Sequence, residues 1–254
     1  MKRFRALVEY NGRDFVGFQV QPDARTVQGE LQRVFSQLCD APIRLLAAGR
    51  TDTGVHATGQ VVAFDTDCRR GADQFLRGGN ALLPQDVRLL EVREADPHFH
   101  PRFSARCRTY RYLILHRQPD PFLRGLAWFH PEELDLQAMA RAAAPLLGRH
   151  DFAAFSCGHE GPTTERTLLR LETSRTEEPP FPSPLDRLGP LTWVEVTADA
   201  FLRRMVRMLV ASLASVGRGE WEPARLMEVL RSRNPGASAP PAPAGGLYLT
   251  SVDY

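Results

Sequence analysis

The spacing of apolar residues changes period several times along the chain, and each change predicts an element. Residues 3–10 (RFRALVEY) alternate loosely between polar and apolar and predict a strand. From residue 26 the period lengthens. Val27, Leu31, Val34, Phe35 and Leu38 recur at helical spacing behind Thr26, a side chain suited to cap a helix, and predict a helix over 26–39. Residues 43–49 and 60–65 read as strands, 71–82 as a helix and 87–93 as a strand. The rhythm then returns: a strand over 109–116, a helix over 134–147, strands over 166–173 and 192–198, a long helix over 201–217, a shorter one over 223–232, and a last strand over 247–254. Strands and helices mix in each half, so the expected class is α+β, with halves at 1–104 and 105–254. The shared rhythm suggests an internal duplication, although no sequence identity between the halves is visible.

Two segments interrupt the pattern. Residues 176–190 hold five of the 20 prolines where two strands should be joined, and predict an exposed loop longer than a hairpin needs. Residues 235–246 form a second Pro- and Gly-rich stretch leading into the last strand.

Composition narrows the class only a little. The chain has 254 residues, 43% hydrophobic and 24% charged, as expected of a soluble globular protein with ample core. A formal net charge of +2 neither requires nor excludes a polyanionic partner. The kind of base says more. Lys2 is the only lysine among 32 basic residues, and arginine is the better bidentate ligand for phosphate. A codon preference against lysine accounts for that bias equally well, so clustering matters more: Arg102, Arg106, Arg108 and Arg111 fall close together, as do Arg203, Arg204 and Arg207. The four cysteines are dispersed with no CxxC spacing, which argues against a zinc site or a disulfide framework and for a reducing cytoplasm. Residues 1–10 lack the apolar core of a signal peptide, and no run is long enough to span a bilayer.

The most informative stretch is GRTDTGVHA, residues 49–57. Its Asp52-Thr53-Gly54 triplet is the one aspartic proteases carry, but a protease site needs two such carboxylates sharing a proton. No second Asp-Thr-Gly exists, and an arginine at position 50 would hold Asp52 ionised. A single carboxylate beside an arginine suits a permanently ionised nucleophile or a fixed negative charge. Alone, the triplet is also ordinary turn chemistry.

The longer string AGRTDTGVHA followed by GQVVAF resembles the active-site segment of the tRNA pseudouridine synthase A family. Further segments follow that family's order: GFQVQ with TVQ (17–21, 26–28), NALLPQDV (80–87), FHPRFSARCRTYRY (99–112), DFAAF (151–155), FLRRMVRMLVASLASVG (201–217) and PAPAGGLYL (241–249). The resemblance spans nearly the whole chain. It implies a pseudouridine synthase fold, with two ferredoxin- or RRM-like halves whose sheets join across a central basic cleft. It also implies a homodimer, a tRNA substrate and no cofactor or metal. The implied reaction converts uridine to pseudouridine in the anticodon stem-loop, at uridines 38, 39 and 40 in tRNA numbering. The chain departs from the family at Phe18, where Trp is common, at Arg204, where His is common, and at Met208, where Asn is common.

Residue by residue, the resemblance makes Asp52 the catalytic carboxylate, Arg207 its ion-pair partner and Tyr110 the aromatic that stacks on the target base. In TYRYLI, Tyr110, Tyr112 and Ile114 share one strand face; Tyr112 is read as core. Arg108 and Arg111 are expected to flank Tyr110 as an electropositive wall. On the predicted helix 201–217, Arg203 and Arg207 lie four apart along one line, and Arg203 and Arg204 are read as phosphate contacts, as is Arg50. Leu247 is the candidate apolar contact below the base. His56 is read as a structural hydrogen-bond partner, and His98 and His100 as loop residues without a third ligand. A non-catalytic RNA-binding protein with the same halves is the alternative, and the intact GRTD segment with Arg207 and Tyr110 argues against it.

Overall fold

A computed structural model describes residues 1–158, 163–176 and 191–254. The chain divides into two compact units, the first made of Met1–Arg106 with Tyr248–Tyr254 and the second of Cys107–Leu247. By chain order the last strand belongs with the C-terminal half, yet Tyr248–Tyr254 pack in the first unit.

The first unit contains β1 (Lys2–Tyr10), α1 (Val27–Cys39), β2 (Leu45–Ala47), β3 (His56–Thr66), α2 (Ala72–Leu82) and β4 (Val87–Ala95). The succession β-α-β-β-α-β is the split β-α-β arrangement. Strand β1 pairs antiparallel with β3 on one side and β4 on the other, and β2 pairs antiparallel with β3. Alternation along β1 buries Phe4, Ala6, Val8 and Tyr10 on one face. Phe4, Phe35, Phe64 and Phe75, drawn from two strands and both helices, form one aromatic cluster with centroids 4.4–6.0 Å apart. Each such ring contributes roughly 1.5–3 kcal/mol on burial. Thr26 caps α1 as its sequence predicts: its Oγ1 accepts from the Gly29 N–H at 3.3 Å.

The second unit contains β5 (Cys107–Leu115), β6 (Trp128–Phe129), α3 (Leu136–Ala143), β7 (Gly148–Asp151), β8 (Glu165–Thr176), β9 (Leu191–Ala198), α4 (Met205–Gly217) and α5 (Arg225–Ser232). Its sheet runs β5-β9-β8-β7 with antiparallel neighbours, and β6 adds to β5 in parallel. Helix α4 is buried at every residue but Arg207. A Cβ on Gly217 would stand 2.9 Å from the Met139 sulfur and 3.0 Å from Leu134 Cβ, so this glycine lets α4 approach its neighbours closely. The final strand, β10 (Leu247–Asp253), runs parallel to β3, with Tyr248 opposite His56.

Three expectations change. The helix expected over 201–217 starts at Met205, because Arg204 takes a left-handed conformation with φ 62°. Arg203 therefore lies before the helix and does not share a helical line with Arg207. The helix expected over 134–147 is α3, capped by the Asp135 carboxylate on the Ala138 N–H, followed by a 3₁₀ turn over Ala144–Leu146. That turn holds Pro145, which cannot supply an interior helical N–H. The strand expected over 43–49 shrinks to Leu45–Ala47. Residues 177–190 of the expected Pro-rich loop lie outside the described residues. Among the described residues, no helix is long and apolar enough to cross a membrane.

Candidate active site

Asp52 stands on a turn between β2 and β3. Its carbonyl accepts from the Val55 N–H at 3.1 Å, and Gly54 takes φ 79° at the third position of the turn. That conformation favours glycine, so the turn reading and the catalytic reading of Asp-Thr-Gly are compatible. The carboxylate-bearing residue itself is half-buried.

Four segments of the first unit hold this turn. The Thr51 carbonyl accepts from the Phe18 N–H at 3.1 Å. The Thr51 hydroxyl meets the Tyr10 hydroxyl at 2.7 Å. The Gln60 side chain donates to the Gly49 carbonyl at 3.0 Å. His56 Nδ1 accepts from the Gly12 N–H at 3.0 Å, while its ring stacks on Tyr248 with centroids 4.6 Å apart. His56 is thus the structural partner its position suggested.

Two glycines make the close approach possible. A Cβ on Gly12 would fall 2.0 Å from the Val55 carbonyl oxygen. Gly17, at φ 81°, lies where a Cβ would stand 3.0 Å from the Thr51 oxygen. Tyr10 is wholly buried; desolvation pushes its hydroxyl up to about 12, against the opposing effect of hydrogen bonds with Thr51 and Gln60. These groups hold the backbone on either side of Asp52, as a preorganised carboxylate requires. Sequence reasoning passed over Tyr10, Gly12, Gly17 and Gln60, whose partners lie distant in the chain; only the Gln of GQVVAF gave a local hint. Arg50, next to the turn, is exposed.

In the second unit, Arg207 is half-buried on α4. Its Nε donates to the Ala242 carbonyl at 2.6 Å, and the Ala242 N–H donates to the Arg207 carbonyl at 3.1 Å. The Pro-rich stretch before β10 is therefore a strap that fixes this guanidinium. Tyr112 hangs from the same strap, its hydroxyl donating to the Pro243 carbonyl at 2.8 Å. Gly246 lies so close to the Tyr112 ring that a Cβ would stand 2.5 Å from Cζ. Burial drives the Tyr112 phenol well above its ordinary value, opposed by the positive charge of Arg207. Tyr112 is core, as read.

Tyr110, two residues earlier on the same face of β5, packs edge-on to Phe201 with centroids 5.1 Å apart and is 9% exposed. Arg108 shares that face and is also buried; its Nη1 donates to the Asp199 carbonyl at 2.7 Å. Arg111 does not flank Tyr110. Strand alternation turns it to the opposite face, where it pairs with Glu195 at 2.7 Å and lies over the Trp193 ring. Burial opposes ionisation of Glu195, yet bonds from Arg111 and Arg170 hold its carboxyl below the usual range. The expected wall of Arg108 and Arg111 is thereby corrected to Arg108 alone.

Arg203 and Arg204 are exposed in the turn before α4, and Leu247 is buried at the start of β10. Met208, where the family commonly has Asn, is buried with its sulfur 3.6 Å from the Cys157 thiol. Phe18, the other apolar departure, is buried beside Tyr10. His100 Nδ1 accepts the N–H groups of Arg102 and Phe103, a loop role.

The first unit thus carries a half-buried carboxylate on a braced glycine turn, and the second carries a strapped arginine and an aromatic–arginine strand face. The sequence profile described as tRNA pseudouridine synthase matches residues 6–104 and 142–254. The chain is 43% identical to tRNA pseudouridine synthase A of Thermotoga petrophila over 254 residues, covering 99% of each. It is 41% identical to the protein of the same name from Methylococcus capsulatus, covering 97% of this chain and 88% of that one. The chain belongs to the tRNA pseudouridine synthase A family and is a tRNA pseudouridine synthase, an isomerase.

Proposed function

We propose that the enzyme isomerises uridine to pseudouridine in the anticodon stem-loop of tRNA, at uridines 38, 39 and 40, with Asp52 as the nucleophile. The observation that carries this reading is the intact GRTDTG turn with its carboxylate braced from four directions. The reaction breaks the C–N glycosidic bond, turns the base and rejoins it through carbon. Bonds broken and formed balance without hydrolysis, redox change or a group donor, so apart from the Asp52 nucleophile the residues need only bind, orient and move protons.

In this reading Arg207 is the partner of the Asp52 carboxylate, with its fork oriented by the strap at Ala242. The target base leaves its stack and rests against Tyr110, with Leu247 as the apolar contact below it. Arg108 supplies positive field on the Tyr110 face from a buried position, whereas exposed Arg50, Arg203 and Arg204 contact phosphates directly. The enzyme works as a cytoplasmic homodimer, and recognition follows tRNA shape rather than base sequence. Tritium release from tRNA labelled at C5 of uridine tests the reaction, with Asp52→Ala as control. Release by wild type, mapped to positions 38–40 and lost in the variant, is the expected result. Release from other uridines would overturn the site assignment, and full release by Asp52→Ala would remove Asp52 from the chemistry.

A further inference from the structure

Four cysteines dispersed in sequence gave no sign of pairing, but folding brings two of them together. Cys39 ends α1, and Cys68 follows β3 by two residues. Thr66, the last residue of β3, joins them: its hydroxyl donates to the Cys39 sulfur at 3.4 Å and accepts the Cys68 N–H at 3.0 Å. The Cys68 thiol in turn reaches the carbonyl of Leu38, the neighbour of Cys39, at 4.0 Å. Both thiols are half-buried and both are free. The pair sits at the far end of β3 from the Asp52 turn, and β3 is 11 residues long. At the rise of an extended strand that is roughly 35 Å of separation from the chemistry.

We propose that Cys39 and Cys68 form a redox-sensitive dithiol that a peroxide closes to an intramolecular disulfide, tying the end of α1 to the end of β3. Cys68 makes the first attack. Burial disfavours the Cys39 thiolate and raises its pKa, and the neighbouring Cys68 adds to the rise; the Thr66 hydroxyl and Arg70 only partly oppose it. The Cys68 thiolate sulfur attacks one peroxide oxygen, the O–O bond breaks, and the departing hydroxide takes up the proton that the thiol released on ionising and leaves as water, with a sulfenic acid on Cys68. The Cys39 sulfur then attacks the Cys68 sulfur and the S–O bond breaks. The departing hydroxide takes the Cys39 proton and leaves as a second water. Two thiols are oxidised and one peroxide is reduced to two waters. The asymmetry gives each cysteine a role, one attacking and one resolving. The cross-link removes freedom from the unfolded chain.

The test uses the full chain exposed to a small excess of hydrogen peroxide. Intact mass should fall by two hydrogen atoms, two of the four thiols should be lost to titration, and peptide mapping should join Cys39 to Cys68; dithiothreitol should restore all four. The oxidised protein should melt higher by roughly 5–10 °C, with isomerase turnover unchanged. In Cys39→Ser the reaction should stop at a sulfenic acid on Cys68 that dimedone traps. A Cys107→Ser/Cys157→Ser variant should still close the bond. Oxidation that falls on Cys107 or Cys157 first, a cross-link only between molecules, or an oxidised form that melts lower than the reduced one would overturn the proposal.

Discussion

Two turns of this molecule both need a positive φ, and they are built in opposite ways. At the Asp52 turn the position belongs to Gly54, φ 79°, and flanking residues are tied by Tyr10, Gly12, Phe18 and Gln60. Before α4 the position belongs to Arg204, φ 62°, in an exposed turn whose side chains face solvent. A non-glycine residue there costs of the order of 1–2 kcal/mol. The first turn is free of that cost and rigidly braced; the second carries it and presents two cations. The contrast fits the chemistry proposed for each. A reacting carboxylate must be held in place to within a fraction of an ångström, whereas a phosphate contact needs charge and reach but tolerates motion. Arg207 belongs with the first kind: it lies three residues from Arg204, yet it is half-buried and strapped to Ala242.

The comparison breaks most sharply at Asp52 itself. Asp52→Asn keeps the size and the backbone bond to Val55 but removes charge and nucleophilicity. Turnover should fall by more than about 10⁴-fold, the scale seen when an attacking group is removed, with tRNA affinity nearly unchanged in a filter-binding assay. Arg207→Ala should come next. Losing a charge-assisted pair costs about 1.5–3 kcal/mol, or roughly 10- to 100-fold, and it should appear in turnover at saturating tRNA more than in affinity. Arg207→Lys should recover only part of it, since a point charge lacks the planar fork. An affinity loss alone would move Arg207 to the phosphate-binding group.

The bracing can be attacked without touching the carboxylate. Gly12→Ala would place a methyl 2.0 Å from the Val55 oxygen. Relieving that clash should cost about 1–3 kcal/mol in a denaturant titration and should lower turnover by displacing the turn. Full activity at reduced stability would show that Asp52 does not depend on this contact. Tyr10→Phe is milder, about 1 kcal/mol at neutral pH for the bond to Thr51. It also carries a pH signature. The folded value of about 12 lies above the ordinary value of 10.0, so the protonated phenol is favoured by folding. That contribution is complete below pH 10 and is lost as pH rises through 12. The wild type should therefore lose stability more steeply than Tyr10→Phe across that alkaline window, read from melts at successive pH values.

Much of this was legible in the sequence, for identifiable reasons. Periodicity located α1 with its Thr26 cap because a 13-residue amphipathic helix repeats its signal several times. It could not find β6 or β7, two and four residues long, whose pattern is too short to have a period. It overran the start of α4, since apolar spacing in FLRRMV continues smoothly through Arg204 while the backbone turns left-handed there. The site divided similarly. Asp52 stands out because its nine-residue context is contiguous in the chain, but its supports are long-range bonds such as Tyr10 to Thr51, 41 residues apart. Arg111 differs from expectation because adjacency to Tyr110 in sequence does not bring it to the same face: strand alternation sends neighbouring side chains to opposite faces.

Arg204→Gly sharpens the contrast between the two turns with the smallest expected effect, and with opposite signs in two measurements. Glycine accepts φ 62° without the Cβ penalty. Replacing a left-handed arginine should therefore stabilise the folded chain, offset by the greater freedom of glycine in the unfolded one, for a net gain of up to about 1 kcal/mol. The same substitution deletes an exposed cation. The dependence of log affinity on log salt should flatten by about one unit, with turnover at saturating tRNA unchanged. A variant that melts higher and binds less salt-dependently would mean the strained turn is retained for its charge. If it melts lower instead, Arg204 is held by contacts whose worth exceeds its backbone strain. If the salt slope stays at the wild-type value, the phosphate contact before α4 rests on Arg203 alone.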